Sequence, residues 1–276
     1  MNLVVQGPEV DSNVLKTLAC LTGASSIVQI TPTAFRLVDA QAHGEVAAVC
    51  ARAALDFAWT PKGRRLGDFG LFVTDMDSTL IDIECIDEIA DLQGLKHEVA
   101  EITEAAMRGE IDFRESLTRR VSLLAGLRVE ALAEVYEERL ALNPGAERLL
   151  RGLKQAGIYT VLVSGGFTYF TERLKQRLGF DEAWANELEV SDGRLTGRVT
   201  GPVIDAAAKA AHLVRARETR GLRAEQTIAA GDGANDIPML REAGFGVAFR
   251  AKPVLREVAD CCLDHSGLDG ILNVLD

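Results

Sequence analysis

The sequence predicts an α/β protein with a Rossmann-like parallel sheet, a helical insert after the first strand of that sheet, and a small α+β unit ahead of both. Three observations carry this. Short β-prone apolar runs at Leu71-Phe72-Val73-Thr74, Tyr159-Thr160-Val161-Leu162-Val163, Thr227-Ile228-Ala229-Ala230, Gly244 to Phe249 and Cys261-Cys262-Leu263 alternate with helical patterns, as in parallel strands joined by crossover helices. Between the first two runs, Ile81 to Leu142 is almost wholly helical in its apolar spacing, more helix than one crossover requires. Finally, Pro61-Lys62-Gly63-Arg64-Arg65 is a polar, breaker-containing connector that sets residues 1–66 apart from residues 67–276.

In residues 1–66, Leu3-Val4-Val5, Ser26 to Ile30 and Thr33 to Val38 read as strands, with Val14 to Ala19 as a helix. Glu45 to Phe57 carries Val46, Val49, Ala53 and Phe57 at helical spacing. This unit holds no catalytic-looking cluster. It could bind an amino acid, mediate dimerisation, or cover the main domain.

In the insert, Ile86, Ile89 and Ala90 form one stripe, and Val99, Ile102 and Ala106 a second. Leu117, Val121 and Leu124, then Leu132, Val135 and Tyr136, follow, with breaks at Gly94, Gly109 and near Gly126. Such a block placed after a catalytic-looking strand reads as a cap over the site. The domain is therefore divided into a core of residues 67–81 and 143–276 and a cap of about 82–142. Asn143-Pro144-Gly145 reads as a helix start with Asn143 as N-cap. Ser191-Asp192-Gly193-Arg194 reads as the turn of a hairpin between Glu187 to Val190 and Leu195 to Val199.

A net charge of −11 disfavours nucleic acid and anionic membrane as partners, so an anionic substrate needs locally placed cations. No apolar run reaches the roughly 18 residues of a membrane helix, and Met1 to Gln6 has no basic region of a signal peptide. The cysteines Cys20, Cys50, Cys85, Cys261 and Cys262 form no CxxC pair, and a reduced, cytoplasmic protein is expected.

The chemistry gathers at strand ends, where ligands of parallel α/β sheets bind. The first strand delivers Asp75 and Asp77 into the hydroxyl-rich turn Ser78-Thr79; the plain alternative is a strand running into a polar turn. Two carboxylates so close repel and lose solvation, a cost that a divalent cation between them relieves. The second strand ends in Ser164-Gly165-Gly166, a hydroxyl and backbone amides suited to an anion. The third ends in Gly231-Asp232-Gly233-Ala234-Asn235-Asp236, a glycine-lined turn of oxygen ligands, with Lys209 in the helix before it. Carboxylates for Mg²⁺, a lysine and amides for a phosphoryl group, and a spare carboxylate to attack it together make phosphoryl transfer.

These motifs resemble those of the haloacid dehalogenase superfamily. Asp75-Met76-Asp77-Ser78-Thr79 matches its first motif, Ser164 its second, and Lys209 with Gly231 to Asp236 its third. Residues 70 to 270 further resemble the phosphoserine phosphatase branch through Glu84, Met107 to Phe113, Ser116-Leu117, Arg119-Arg120-Val121 and Val163 to Phe167. The resemblance implies Asp75 as nucleophile and Asp77 as the acid and base. It implies Mg²⁺ held by Asp75, the carbonyl of Asp77 and Asp232, with Asp236 orienting that shell. Ser164, Gly165 and Lys209 would hold phosphate, assisted by Asn235. In the cap, Glu84 would meet the ammonium and Arg120 the carboxylate of O-phospho-L-serine, with Phe113 closing over it. Another small phosphomonoester is the alternative substrate. Residues 1–66 resemble the small ACT-like domains that precede some members, and through them a homodimer could form.

Overall fold

The computed structural model describes residues 1–108 and 110–276, so the break expected at Gly109 lies outside the described residues. Four strands, β1 (Asn2–Gln6), β2 (Ser26–Thr31), β3 (Ala34–Val38) and β4 (Asp56–Thr60), form an antiparallel sheet in the order β2-β3-β1-β4. Alternation decides what each face of β1 touches. Leu3 and Val5 pack with Leu15, Leu18 and Val49 of the helices Ser12–Thr22 and Val46–Arg52, whereas Val4 faces the other way and joins the main core beside Ala58.

The helix expected to run on to Phe57 ends at Arg52. Ala54 takes the left-handed φ of 52°, and Asp56–Thr60 returns as a strand paired with β1. Phe57 fits both a helical and an alternating pattern, and β-prone Phe57 and Trp59 pair with β1 instead of extending the helix. At the start of β4 the Asp56 carboxylate accepts N–H bonds from Asp264, His265 and Ser266, which fastens the small sheet to the main one.

The main sheet contains β5 (Leu71–Thr74), β6 (Tyr159–Phe167), β7 (Glu182–Ser191), β8 (Arg194–Thr200), β9 (Thr227–Gly231), β10 (Phe245–Phe249) and β11 (Cys261–Leu263). Its order is β11-β10-β9-β5-β6-β7-β8, parallel except for the β7–β8 hairpin. β5, β9 and β10 are buried along their whole length, which is why they read as unbroken apolar runs. The chain winds from β5 outward through β6 and β7, then crosses back to place β9 on the opposite side of β5. That reversal opens a crevice at the carboxyl ends of β5, β6 and β9. Two features of this half exceed expectation. β7 begins at Glu182, pairing with β6 before it turns into the hairpin, and β6 continues to Phe167 through a bulge that contains Ser164-Gly165-Gly166.

The insert supplies helices Cys85–Asp91, Lys96–Met107, Phe113–Ser122 and Glu130–Glu134. Ile86, Ile89, Val99, Leu117, Val121 and Leu132 bury one continuous apolar layer. Asn143 is not a helix cap: the next helix is Ala146–Gln155, entered through Gly145 at φ 83°. Instead the buried Asn143 amide donates to the carbonyls of Thr79 and Ile81, both at 2.9 Å, and its N–H bonds to Leu80 O. It stitches together the two stalks on which the cap stands.

Candidate active site

β5 ends against β9: Asp75 N–H donates to Ala230 O at 3.0 Å, and the chain then turns tightly through Ser78, whose φ is 54°. The turn sends Asp75 and Asp77 to different surroundings. Asp75 is buried, with Oδ2 2.6 Å from Lys209 Nζ and 3.5 Å from Asn235 Nδ2, while Oδ1 accepts the Met76 N–H at 2.7 Å. Asp77 looks the other way. Its carboxylate accepts the Cys85 N–H at 3.0 Å and the Ser164 hydroxyl at 3.3 Å.

Lys209 rises from helix Ala206–Thr219, started by Asp205, whose side chain accepts the Ala208 N–H. Its fully buried ammonium also bonds Asp236 Oδ1 at 2.8 Å. Asp236 Oδ2 accepts the N–H groups of Asp232 and Gly233, so Asp236 ties the turn after β9 to the lysine. That turn passes so close to Asp236 that a Cβ at Gly231 would fall 2.4 Å from its carboxyl carbon. On β6, Gly166 N–H donates to Ser164 Oγ at 2.8 Å, and a Cβ at Gly166 would sit 2.5 Å from Asp77 Oδ2. Glycine there is a condition of the geometry.

Electrostatics follow from burial. Burial opposes charge on Lys209, but Asp236 and Asp75 outweigh it and hold its pKa above the usual lysine value. Burial, then the Glu84 charge, push the Asp77 carboxyl up to about 7. Asp232 is pushed up to about 6 by burial and by Asp236, with Lys252 pulling the other way. Carboxylate oxygens of Asp75, Asp232 and Asp236 lie within 4.8 Å of one another. This all-oxygen set, crowded and short of positive charge, fits a hard divalent cation. The Asp77 side chain is not part of it.

The cap closes a cavity of about 510 Å³ over these groups, lined from the core by Asp75, Asp77, Gly165 and Asn235 and from the cap by Glu84, Phe113 and Arg120. Phe113 lies directly above Gly165, 3.2 Å from where a Cβ would be. Glu84 accepts the Ser78 hydroxyl at 2.7 Å. Among the described residues Arg120 has no carboxylate within ion-pair distance; its Nε donates to Ser116 O, and burial pulls its pKa down against Asp87 and Glu84.

A family model for haloacid dehalogenase-like hydrolases matches residues 72–241. The chain belongs to that family. Residues 3–46 match a second model, a domain of unknown function (DUF4072). Over 215 residues this haloacid dehalogenase-like hydrolase is 51% identical to the phosphoserine phosphatase of Albidiferax ferrireducens, covering 76% of this chain and 91% of that protein. It is similar in structure to a probable phosphoserine phosphatase from Vibrio cholerae, with a TM-score of 0.88 and 37% identity over 99% of this chain and 86% of that one. A phosphoserine phosphatase carrying a phospho-aspartyl intermediate analogue matches with a TM-score of 0.70 and 43% identity, over 75% of this chain and 99% of that one.

A reading of the motifs assigns no role to three residues of this hydrolase's site. Thr79 Oγ1 donates to Asp232 Oδ1 at 3.4 Å, bridging the first and third strand ends. Asn186, buried on β7, donates to Gly165 O and accepts the Ile204 N–H, both at 2.8 Å, so it holds the phosphate-loop candidate in place. Lys252, on the loop after β10, lines the cavity. The rule that singled out three strand ends, applied to a fourth, would have found Lys252; Asn186 leaves no comparable signal.

Proposed function

We propose that this protein hydrolyses O-phospho-L-serine to L-serine and phosphate. One observation carries the reading. A single cavity joins Asp75, Asp77, to which Ser164 is bonded, and Asp232 of the core to an acid of the cap, Glu84, and a guanidinium, Arg120, that has no carboxylate partner among the described residues. A phosphorylated α-amino acid has one anionic phosphate end and one zwitterionic end, and this cavity offers a counterpart to each. The phosphoserine phosphatases among its relatives support the same choice.

In the proposed reaction a carboxylate oxygen of Asp75 bonds to phosphorus as the bond to the serine oxygen breaks, giving an aspartyl-phosphate. Asp77 gives its proton to that leaving oxygen. A carboxyl pushed up to about 7 can then take a proton from the water that attacks the intermediate and frees phosphate. Ser164, the Gly165 amide, Lys209 and Asn235 hold the phosphate oxygens. Arg120 pairs with the substrate carboxylate as a planar fork, and Phe113 closes over it. Asp75, Asp232 and the Asp77 carbonyl would hold Mg²⁺, braced by Asp236. Bound there, the cation supplies positive charge to the transferring phosphoryl group.

On this reading residues 67–276 are the catalytic domain, with about 82–142 as its cap, and residues 1–66 are a small ACT-like domain. The setting is the cytoplasm, and the assembly a homodimer through residues 1–66, whose outer strand β2 leaves Ile27 and Val28 exposed. A screen of small phosphomonoesters with and without Mg²⁺ tests the function. Phosphoserine should be the best substrate, by kcat/KM; preference for a substrate lacking the amino-acid headgroup would overturn it.

A further inference from the structure

We infer that Lys252 is the cation that first meets the phosphate group at the cavity and sets how readily phosphomonoesters are captured, an inference that rests on the phosphatase reading above. The site has a charge problem. Asp75, Asp77, Glu84 and Asp232 line the cavity, acids that a divalent cation on Asp75 and Asp232 would offset only in part, and the whole chain carries a net charge of −11, so a phosphate dianion approaches against repulsion. Lys209 does little to offset this, because its buried ammonium already bonds Asp75 and Asp236. Among the described residues lining the cavity the cations are Arg120 on the cap side and Lys252 on the core side. Neither has a carboxylate within ion-pair distance among the described residues, but only Lys252 is exposed to solvent.

The position is built, not incidental. The Lys252 N–H donates to Asp232 O at 2.9 Å, which anchors the residue to the turn after β9. Two residues earlier Arg250 adopts the left-handed φ of 45°, uncommon for a side chain of its size, and its guanidinium reaches Asn143 Oδ1 at 3.3 Å. The loop is thus tied to the cap stalks at one end and to Asp232 at the other, with the Lys252 side chain at the cavity between them. Because the anchor is backbone, replacing the side chain removes the charge and leaves the loop's attachment intact.

Lys252 acts on the approach of the phosphate and not on the bond that breaks. The test compares Lys252→Met, Lys252→Glu and the charge-keeping Lys252→Arg with the parent enzyme on phosphoserine and on p-nitrophenyl phosphate, at low and at high salt. In low salt Lys252→Met should lower kcat/KM by about three- to tenfold and Lys252→Glu by more, chiefly through KM. The deficit should be the same for both substrates, because both present a phosphate, and should shrink as salt screens the field. Lys252→Arg should restore the parent value. A kcat/KM unchanged in low salt, a deficit insensitive to salt, or a deficit confined to phosphoserine would overturn the inference. A parent enzyme that turns over p-nitrophenyl phosphate and not phosphoserine would sink the substrate assignment alone, and the comparison on p-nitrophenyl phosphate would still decide the part played by Lys252.

Discussion

Nζ of Lys209 lies 2.6 Å from Oδ2 of Asp75, deep beneath the cavity. The contact separates two acids that are neighbours in sequence. Burial raises the pKa of both carboxyls, but at Asp75 the Lys209 ammonium works against that rise at contact distance, while Asp77, pushed up to about 7, meets N–H and O–H donors among the described residues. Paired groups whose surroundings differ in this way can divide nucleophile and proton carrier between them. Asp75→Asn keeps the shape of the side chain and leaves the Lys209–Asp236 bond in place, so the variant should fold with little change in Tm. Its turnover of phosphoserine should fall by about three orders of magnitude or more, as when other enzyme nucleophiles are removed. Turnover within tenfold of the parent would remove Asp75 from the role.

The carboxylates of Asp75, Asp232 and Asp236 share a space no wider than 4.8 Å, with Lys209 as their buried counter-charge. A ligand that binds the folded state alone stabilises it, by about 2.7 kcal/mol at a hundred times its Kd. Mg²⁺ should therefore raise Tm in the absence of any substrate, and a chelator should reverse the rise. Asp232→Asn should abolish the Mg²⁺-dependent part while leaving the folded chain intact by circular dichroism. A Tm indifferent to Mg²⁺ in the parent would show that the cluster is no cation site.

Gly166 is the residue whose replacement separates shape from charge. A methyl group there meets Asp77 Oδ2 at 2.5 Å, the Met76 side chain at 2.9 Å and Ser164 Oγ at 3.1 Å. Asp77 and Ser164 must move apart to admit it, and misplacement of about 1 Å costs on the order of a hundredfold in rate. Gly166→Ala should lose about that much in kcat with much smaller loss of stability in urea. Gly44→Ala, in the exposed turn before helix Val46–Arg52, where nothing lies within 4 Å and φ is not left-handed, is the control that should leave kcat unchanged.

The strand ends of this site were legible because a parallel strand buried on both faces leaves a short apolar run, and whatever polar residue follows it is necessarily at the crevice. Leu71 to Asp77 and Thr227 to Asp236 are read correctly for that reason. What sequence could not show is partnership across long separations. Asn143 next to Pro144 has the local signature of a helix start, yet its amide is used by Thr79 and Ile81, more than sixty residues earlier. Asp56 sits where helical and alternating patterns overlap, and its carboxylate serves N–H groups more than two hundred residues on. Neither bond has a periodicity to betray it. The central place of β5 likewise depends on which strands pair, and only the pairing reveals the reversal that opens the crevice.

Arg120 decides whether the cavity recognises an amino acid or merely a phosphate. It stands on helix Phe113–Ser122 with its guanidinium in the cavity, half-buried, and among the described residues it has no carboxylate partner of its own. Hydrogen bonds to charged groups are worth about 1.5–3 kcal/mol, so losing a carboxylate–guanidinium fork should cost about ten- to a hundredfold in binding. Arg120→Ala should raise KM for phosphoserine by that factor and leave KM for p-nitrophenyl phosphate, which has no carboxylate, within about threefold on the same scale. Arg120→Lys should recover only part of the loss, since an ammonium keeps the charge but not the planar fork. The converse variant, Glu84→Gln, should weaken substrates that carry an ammonium and spare those that do not. Equal losses on both substrates for Arg120→Ala would mean that the guanidinium supports the cap and does not read the substrate.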